Sequence, residues 1–482
     1  MKKKFTWNLI LILILNLLIK PFYILGIDAE IINRVGASVY GNYFALINFS
    51  FLLNIILDLG ITNYNIKNIA QYHQLLDKHF SGIITLRICL VVLYLCATFF
   101  IALILGYDFL QLKILLLLAL NQSLVAFILY IRSNLAGLHL FLEDGLISIL
   151  DRVLLIIICS ILLWGGITEN AFQIEWFIYS QTLAYVITLL VCFSLVLSKT
   201  SSFSFKWNLP FAVIIIKKSL PYALLILLMT IYYRIDSIML ERMINDNSVQ
   251  AGIYAQAYRF FEASNMFAYL FAALLLPIFS RMLKNNESVY ELVNFSFKIL
   301  MSFGLILSVF CFFFSYEIMD IRYAENILES SIIFKILMIC FLCVSSTYIY
   351  GTLLTANGNL FYLNLVAAFG VVLNVVLNLI LIPQYNAIGS ATASLITQFL
   401  TGLLQILLCV YIFRFSLFLT FARLLFFVVC LLISTYFIYK QNYSIEGSLV
   451  LYSLCCLLSL FVTRLFKVSD FYLLIENKFQ IK

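Results

Sequence analysis

Long apolar runs separated by short polar stretches follow one another along the whole chain. Each run is about 20 residues or longer, the length of a helix that crosses the hydrocarbon core of a bilayer. Because the runs are continuous rather than alternating, they predict helices and exclude a β-barrel. The pattern predicts about fourteen transmembrane helices, near residues 8–31, 40–61, 80–105, 112–134, 145–166, 171–197, 219–240, 254–278, 294–315, 330–354, 360–382, 388–413, 418–439 and 447–466.

The predicted fold class is an all-α polytopic membrane protein, and two of its helix ends resemble each other. Residues 27–34 read IDAEIINR and residues 235–242 read IDSIMLER. Further along, Gly41-Asn42-Tyr43 is matched by Gly252-Ile253-Tyr254. Six predicted helices separate the copies, and an even number preserves orientation, so the two copies predict a parallel repeat. Chance similarity between two short helix ends is the alternative.

A parallel repeat also predicts how the chain is organised into domains. We expect an N-terminal six-helix lobe at residues 1–198, a cytoplasmic linker at 199–218 and a second six-helix lobe at 219–415. An additional helix pair and a cytoplasmic tail would fill residues 416–482. In transporters built from such repeats the substrate site lies between the two lobes.

Composition supports lipid as the solvent of this protein. Hydrophobic residues make up 64% of the chain and charged residues only 11%, with a mean hydropathy of +1.06. Soluble domains carry about 25% charged residues. A water-facing surface cannot be built from this sequence.

The distribution of lysine and arginine predicts the orientation in the membrane. With the N-terminus in the cytoplasm, 18 of the 30 fall on the inner side, 5 in outer loops and 7 within predicted helices. This excess predicts that both termini are cytoplasmic, since positive residues favour the inner side. The net charge of +7 therefore reflects membrane orientation and not nucleic-acid binding.

Seven cationic residues fall inside predicted helices, where each costs about 2.5–3.5 kcal/mol on insertion scales. They are Lys20, Arg87, Arg152, Arg234, Arg259, Lys298 and Lys335. Arg87, Arg152 and Lys298 lie close enough to helix ends to extend toward the membrane surface. The other four lie deeper and need partners or a polar cavity.

Acidic residues near the predicted helices are fewer. Arg234 is expected to pair with Asp236 or with a neighbouring helix, and Arg259 with Glu262 one helical turn away. Asp28, Asp58 and Asp151 are the other acids near these helices. Because deep cations exceed acids, we expect a cavity that binds an anion, with guanidinium groups suited to phosphate. Charge pairs that hold helices together are the alternative.

The Lys20-Pro21 pair interrupts the first predicted helix. A proline inside a helix removes one backbone hydrogen bond and kinks the helix. Pro21 is therefore a candidate hinge whose bend changes between inward and outward states. A static kink is the alternative.

Enzymatic chemistry has little support in the sequence. His73, His79 and His139 lack a neighbouring cluster with metal-ligand spacing, and there is no phosphate-binding loop. We expect no enzyme activity, no metal and no cofactor.

Several motifs, in this order and spacing, resemble the Wzx-type polysaccharide (O-antigen) flippases of the multidrug/oligosaccharidyl-lipid/polysaccharide exporter (MOP) superfamily. The motifs are residues 31–36 (IINRVG), 40–43 (YGNY), 58–61 (DLGI), Pro221, 232–236 (YYRID), 252–254 (GIY), 277–281 (PIFSR) and 382–391 (IPQYNAIGSA). The likeness covers roughly residues 5–415.

The resemblance implies two six-helix lobes around a central cationic cavity and a further helix pair at the C-terminus. It implies translocation of an undecaprenyl-diphosphate-linked oligosaccharide from the cytoplasmic to the outer leaflet of the bacterial cytoplasmic (inner) membrane. Arg234 and Asp236 match a charged site of the family, and Arg34 and Asp28 match less closely, at the outer rim.

We therefore expect a multi-pass flippase for surface polysaccharide assembly that works by alternating access. The candidate substrate-binding residues are Arg234, Arg259, Lys20, Lys335, Arg34, Arg87 and Arg152. The candidate charge partners or Na⁺ or H⁺ coupling residues are Asp236, Asp28, Asp58 and Glu262. The expected partners are the lipid-linked oligosaccharide, membrane lipid and other polysaccharide-assembly proteins.

Three alternatives remain open at this point. A cation-coupled drug or small-molecule exporter of the same superfamily would be expected to have an acid-rich cavity. A membrane enzyme of glycan assembly would be expected to have a long outer loop or a paired-acid motif. A scaffolding protein would not need deep cations.

Overall fold

The computed structural model describes residues 14–465, apart from gaps at 63–64, 67–68, 70–73, 139, 167–170, 201–207, 246–247, 417, 442 and 464. Within this part of the chain the secondary structure is helical. The α-helices are α1 (Ala29–Leu52), α2 (Ile55–Asp58), α3 (Leu75–Ile104), α4 (Phe109–Gly137), α5 (Phe141–Trp164), α6 (Ile174–Leu197), α7 (Leu209–Met243), α8 (Val249–Lys284), α9 (Tyr290–Phe313), α10 (Ser315–Arg322), α11 (Ile327–Ala356), α12 (Leu360–Phe413), α13 (Phe418–Lys440) and α14 (Ile445–Val462).

In the described residues, 12 helical stretches are long and apolar enough to cross a membrane. Two of them, Ile14–Asp58 with 45 residues and Leu360–Phe413 with 54 residues, are each long enough for two crossings. Each contains one residue with non-helical backbone, Gly36 at φ +80° and Asn386 at φ +51°. Glycine and asparagine tolerate positive φ, so the chain changes direction there and each stretch consists of two helices. The predicted fold class, with about fourteen crossings, is confirmed.

The first helix is irregular next to the candidate hinge. Residues 14–22 are helical, and Tyr23–Asp28 form a π-helical turn. Pro21 cannot donate a backbone hydrogen bond, and its ring displaces the carbonyl four residues earlier. A widened turn directly after a proline is one of the known ways in which a helix departs from regular geometry. Movement of this bend stays a prediction.

Helix α4 begins with a capping box. The Asp108 carboxylate accepts a hydrogen bond from the Gln111 backbone N–H at 2.7 Å, and the Gln111 side chain accepts one from the Asp108 N–H at 3.2 Å. Such a cap contributes about 0.5–2 kcal/mol to helix stability. It also fixes the polar side chains at this end of α4.

The chain forms two compact units. Unit 1 comprises Met1–Arg259 and Asn378–Ser390, and unit 2 comprises Phe260–Leu377 and Ala391–Lys482. The domain boundaries predicted from the sequence stay a prediction. Residues 201–207 of the expected linker, residues 466–482 of the expected tail and residues 1–13 lie outside the described residues.

Unit 1 has a mixed aromatic and polar core between α3, α4 and α6. The Phe80 ring stacks on Tyr130 at 6.1 Å and on Phe193 at 6.2 Å between centroids. The Asn65 amide, in the segment between α2 and α3, donates to the side chains of Ser133 at 2.8 Å and Asn134 at 3.0 Å. Hydrogen bonds between elements are typical of membrane proteins, where little water is present to satisfy polar groups.

Unit 2 incorporates the C-terminal helix pair. The Thr420 hydroxyl of α13 donates to the Asn294 side chain of α9 at 2.6 Å. The Tyr452 hydroxyl of α14 donates to the Ile306 carbonyl, also on α9, at 2.7 Å. On the outer faces of the pair, Phe418 is 83% exposed and Phe461 84% exposed. Large exposed rings on membrane-crossing helices suit contact with lipid.

Candidate substrate site in the membrane-spanning helices

A buried ion pair joins the first helix to α8 inside unit 1. Asp28, at the end of the π-helical turn, is 2% exposed, and Arg259 of α8 is 8% exposed. The Arg259 Nε lies 2.8 Å from the Asp28 Oδ2. The Tyr40 hydroxyl donates to Asp28 Oδ1 at 2.7 Å and accepts a hydrogen bond from Arg259 Nε at 3.0 Å. The guanidinium also lies 5.2 Å from the centre of the Phe44 ring.

Arg234 of α7 faces α1 within the same unit. Its Nη1 donates to the Asn48 side-chain oxygen at 3.0 Å, and its guanidinium lies 4.7 Å from the centre of the Phe51 ring. Asn48 is buried, and its own amide donates to the Phe44 carbonyl at 2.8 Å. The amide is thereby oriented with its oxygen toward Arg234. The expectation that Arg234 reaches a neighbouring helix agrees with this geometry.

Asp236, two residues along α7, is 3% exposed. Its carboxylate accepts hydrogen bonds from the Tyr254 hydroxyl of α8 at 3.0 Å and from the Asn378 amide of α12 at 2.8 Å. A buried carboxylate is tolerated when hydrogen-bond donors surround it. Asp28 and Asp236, matched in the sequence repeat, thus each accept a hydrogen bond from a tyrosine on a following helix.

The helices that carry these residues cross very closely at two glycines. A Cβ atom added at Gly252 of α8 would lie 1.9 Å from the Ala37 carbonyl oxygen. One added at Gly41 of α1 would lie 2.0 Å from the Ser248 carbonyl oxygen and 2.6 Å from the Gly252 nitrogen. Gly41 and Gly252 are also the matched glycines of the sequence repeat. Equivalent residues of a two-fold arrangement meet on its axis, so this contact agrees with the repeat, which itself stays a prediction.

We expect Gly252→Ala to destabilise the protein, because the new methyl group would overlap a backbone carbonyl that cannot move away by itself. Overpacking of this kind costs about 1–3 kcal/mol or more. The melting temperature of the purified chain in detergent measures the effect. Gly447→Ala is the matched control, since its nearest atom would lie at an ordinary 3.4 Å. Equal melting temperatures of the two variants would contradict the tight crossing.

Arg87 of α3 lies in a separate polar cluster of unit 1. It is 1% exposed and forms an ion pair with Asp58 of α2. Its guanidinium also donates to the Thr62 hydroxyl at 2.9 Å and to the Ala126 carbonyl at 2.9 Å. The expectation that Arg87 extends toward the membrane surface is wrong, because several helices enclose the side chain. This geometry favours a role in holding α2, α3 and α4 together.

Arg87→Ala should lower stability strongly, because the Asp58 carboxylate would lose its cationic partner inside the protein. Breaking a fully buried pair costs about 3–5 kcal/mol, and since the Asp58 side chain is 27% exposed we expect a loss of about 1–3 kcal/mol here. The yield of folded protein and its melting temperature measure the loss. Cys89→Ala, at an exposed position on the same helix, should leave both unchanged. An Arg87→Ala protein as stable as Cys89→Ala would remove the structural role.

Lys20 and Arg152 lie together beside the irregular first helix. Arg152 Nε of α5 is 3.7 Å from the Asp151 carboxylate, and its guanidinium lies 4.9 Å from the centre of the Tyr23 ring. Lys20 interacts electrostatically with both Arg152 and Asp151. This group is therefore adjacent to Pro21 and to the π-helical turn.

The remaining charged residues singled out in the sequence are Arg34, Lys335, Glu262 and Lys298. Arg34 has a 47% exposed side chain and pairs with Glu30 at 3.1 Å. In unit 2, Lys335 of α11 lies 5.7 Å from the centre of the Phe312 ring, and Glu262 of α8 is half-buried. Lys298 is 6% exposed, so the expectation that it reaches the membrane surface is wrong.

The sequence count of surplus cations misses most of these pairs. The ion pairs join Arg259 to Asp28, Arg87 to Asp58, Arg152 to Asp151 and Arg34 to Glu30. Arg259 and its partner Tyr40 are separated by 219 residues in the chain. The spacing of one helical turn, which suggested Glu262 as the partner of Arg259, cannot indicate a contact between residues this far apart in the chain. Arg234 donates to the Asn48 amide, which lies 186 residues away in the chain.

Solved membrane transporters share this fold. The structure of the lipid II flippase MurJ in an inward closed conformation superposes with a TM-score of 0.71 at 16% identity, covering 98% of this chain and 99% of that one. An inward-facing multidrug resistance MATE family transporter gives 0.62 at 13% identity, covering 84% and 98%. A MOP superfamily transporter from Pyrococcus furiosus gives 0.62 at 14% identity, covering 86% and 97%. The chain therefore has the polytopic helical fold of these transporters.

The sequence places the chain within a family. The model of the family described as "Polysaccharide biosynthesis protein" matches residues 7–283, more than half of the chain. This protein belongs to that family. A comparison with curated protein sequences gives no significant match. The predicted resemblance to the superfamily is confirmed, and the Wzx type within it stays a prediction.

Proposed function

We propose that this protein is a flippase that moves an undecaprenyl-diphosphate-linked oligosaccharide from the cytoplasmic to the outer leaflet of the bacterial cytoplasmic membrane. The observation that carries the proposal is Arg234, a cation on a membrane-crossing helix whose Nη1 donates to the Asn48 side-chain oxygen at 3.0 Å. A cation kept at this depth is costly, which makes it a functional candidate. The family and the fold shared with a lipid II flippase support the same substrate class.

The chemistry of Arg234 suits a diphosphate. A guanidinium presents several donors in one plane and binds phosphate oxygens in pairs. The Asn48 amide holds one nitrogen, Nη1, and the Phe51 ring supports the plane from one side. The incoming phosphate would replace or share the amide contact.

Arg259 is the second proposed contact, and its guanidinium forms an ion pair with Asp28. The Asp28 carboxylate balances its charge at an Nε–Oδ2 distance of 2.8 Å. We propose that an anionic head group competes with Asp28 for the guanidinium. The Tyr40 hydroxyl, which bonds both partners, would then stay with Asp28. Lys20, Lys335, Arg152, Arg87 and Arg34 remain proposed only as secondary contributors to the electrostatic potential.

The membrane potential supports the outward direction. With both termini in the cytoplasm, as proposed, a negative inner side favours outward movement of an anion by about 2.3 kcal/mol per charge per 100 mV. The diphosphate and sugars would cross in the cavity while the lipid tail stays in the membrane, by alternating access. Coupling to Na⁺ or H⁺ through Asp28, Asp58, Asp236 or Glu262 remains a proposal.

A strain that lacks the gene tests this function. We expect undecaprenyl-linked repeat units to accumulate at the inner leaflet, and the wild-type chain to clear them. Loss of repeat-unit synthesis itself, with no accumulation, would indicate an enzyme of the same pathway. Drug sensitivity with normal surface polysaccharide would indicate an exporter. Either result overturns the proposal.

A further inference from the structure

A cavity of about 640 Å³ lies in unit 1, and its lining includes Arg34 but not Arg234 or Arg259. Its walls come from the end of the first helix around Arg34, the start of α4, the start of α6 and Ser248 ahead of α8. Pockets for small molecules occupy about 300–1,000 Å³. With both termini in the cytoplasm, as proposed, these segments all lie on the outer side of the membrane.

Polar side chains of the cavity lining are held in place by hydrogen bonds at the start of α4. Gln111 takes part in the α4 capping box, and its amide nitrogen donates to Asn42 at 3.3 Å and to Glu241 at 3.0 Å. Glu241 in turn pairs with Arg242 at 2.9 Å. Side chains fixed by several hydrogen bonds present their remaining polar atoms in one geometry, which favours selective binding.

One wall combines an aromatic ring with planar polar groups. Phe172, Gln173 and Glu175 all line the cavity at the start of α6. The Phe172 ring packs edge-on against Trp176, with centroids 5.9 Å apart and planes at 82°. Amide and carboxylate groups form paired hydrogen bonds with neighbouring hydroxyls, and an aromatic face packs against the C–H face of a sugar ring. This combination is the chemistry that recognises saccharides.

The charge of the lining argues against a phosphate ligand. Arg34 is a cation in the wall, but its charge is balanced by Glu30 at 3.1 Å. Asp108 and Glu175 add two carboxylates to the lining. Like charges repel, so an anionic head group would be disfavoured here while neutral or amino sugars would not.

We propose that this cavity is a saccharide subsite that binds the sugar end of the lipid-linked substrate on the outer side of the membrane. The inference rests on the proposed function, since the glycan is that of the transported lipid. The diphosphate would contact Arg234 and Arg259, whereas the outer cavity would contact sugars only. The cavity would therefore determine which glycans are handled efficiently.

The test uses the purified full-length chain and a probe without lipid or diphosphate. The probe is the repeat-unit oligosaccharide released by mild acid from the lipid carriers of the strain that encodes the protein. Trp176, next to Phe172, serves as the fluorescent reporter, and the loss of the signal in Trp176→Phe assigns it. We expect saturable binding to the wild type and to Lys113→Ala, an exposed residue of α4 outside the lining.

The double variant Gln173→Ala/Glu175→Ala should bind the probe about tenfold or more weakly, because two polar partners of the sugar are lost. Phe172→Ala tests the ring separately, and melting temperatures confirm that both variants fold. No response of the wild type at millimolar probe, unchanged binding by the folded double variant, or competition by inorganic pyrophosphate would overturn the proposal.

The same variants separate this inference from the proposed function. If the wild type clears repeat units in the deletion strain but does not bind the probe, the subsite is wrong and the flippase function stands. If the wild type binds the probe through these residues but does not clear repeat units, the flippase function fails while the saccharide site stands.

Discussion

Replacing Arg234 with alanine should abolish clearance of lipid-linked repeat units while leaving the amount of membrane-inserted protein unchanged. The substitution removes a guanidinium that donates to the Asn48 amide at 3.0 Å and lies 4.7 Å from the centre of the Phe51 ring. Loss of a charge that binds an anion away from bulk water costs on the order of 2–5 kcal/mol of binding, which is about 30-fold or more. The measurement is the inner-leaflet content of repeat units in a deletion strain complemented with each variant.

Two further variants make the Arg234 result specific. Arg234→Lys keeps the charge but loses the planar set of donors, so it should retain part of the activity. Arg281→Ala removes an arginine from the exposed end of α8 and should behave as wild type. Normal clearance by a fully inserted Arg234→Ala protein would show that Arg234 does not bind the substrate.

The second large effect is expected at the buried pair of Asp28 and Arg259. Asp28→Asn leaves the guanidinium buried without its carboxylate, and Arg259→Gln leaves the carboxylate without its cation. Each single substitution should cost about 3–5 kcal/mol of stability, because an uncompensated charge remains inside the protein. The double substitution removes both charges and should recover most of this loss. Melting temperatures of the four proteins measure the non-additivity.

Transport by the same double variant separates two roles of Arg259. If its guanidinium binds the anionic head group, the stable double variant should still fail to clear repeat units. If the double variant clears them as well as wild type, the pair only holds the helices together. Tyr40→Phe is the control for the hydroxyl that bonds both residues, since it keeps the ring and both charges.

Hydropathy alone was sufficient to predict the fold class. Helices in lipid must satisfy their own backbone hydrogen bonds, so apolar length translates almost directly into crossings. The two long stretches that Gly36 and Asn386 interrupt were also expected as separate helices. The π-helical turn of Tyr23–Asp28 was not predicted, although Pro21 marks the place. No sequence pattern distinguishes a π-helical turn from a simple kink after proline.

For the candidate site, the sequence predicts which charged residues are involved but not which residues they contact. Arg234, Arg259, Asp28 and Asp236 stand out in the sequence because charge is costly in lipid. Their partners depend on which helices pack together, and local spacing does not encode this. Asn48 illustrates the limit, because a single asparagine in an apolar run has many explanations until Arg234 is found 3.0 Å away. Similarly, the sequence repeat matched Gly41 with Gly252 but did not indicate that the two are in contact.

The lining of the outer cavity could likewise be predicted only where its residues are close together in the sequence. Asp108 and Gln111 have the spacing of a capping box, which can be recognised from the local sequence. Helix α4 begins at this position. The meeting of this cap with Phe172 and Glu175 requires the tertiary fold. A saccharide site therefore could not be proposed from the sequence.

Reconstitution of the purified chain in vesicles measures directly whether it moves the lipid-linked repeat unit across a membrane. Vesicles would contain the lipid-linked repeat unit in one leaflet, and membrane-impermeant periodate would report the arrival of its sugars at the other. We expect rapid transfer with the wild type, and transfer no faster than in protein-free vesicles with Arg234→Ala. Transfer at the protein-free rate with the wild type, or at equal rates with both proteins, would contradict this expectation.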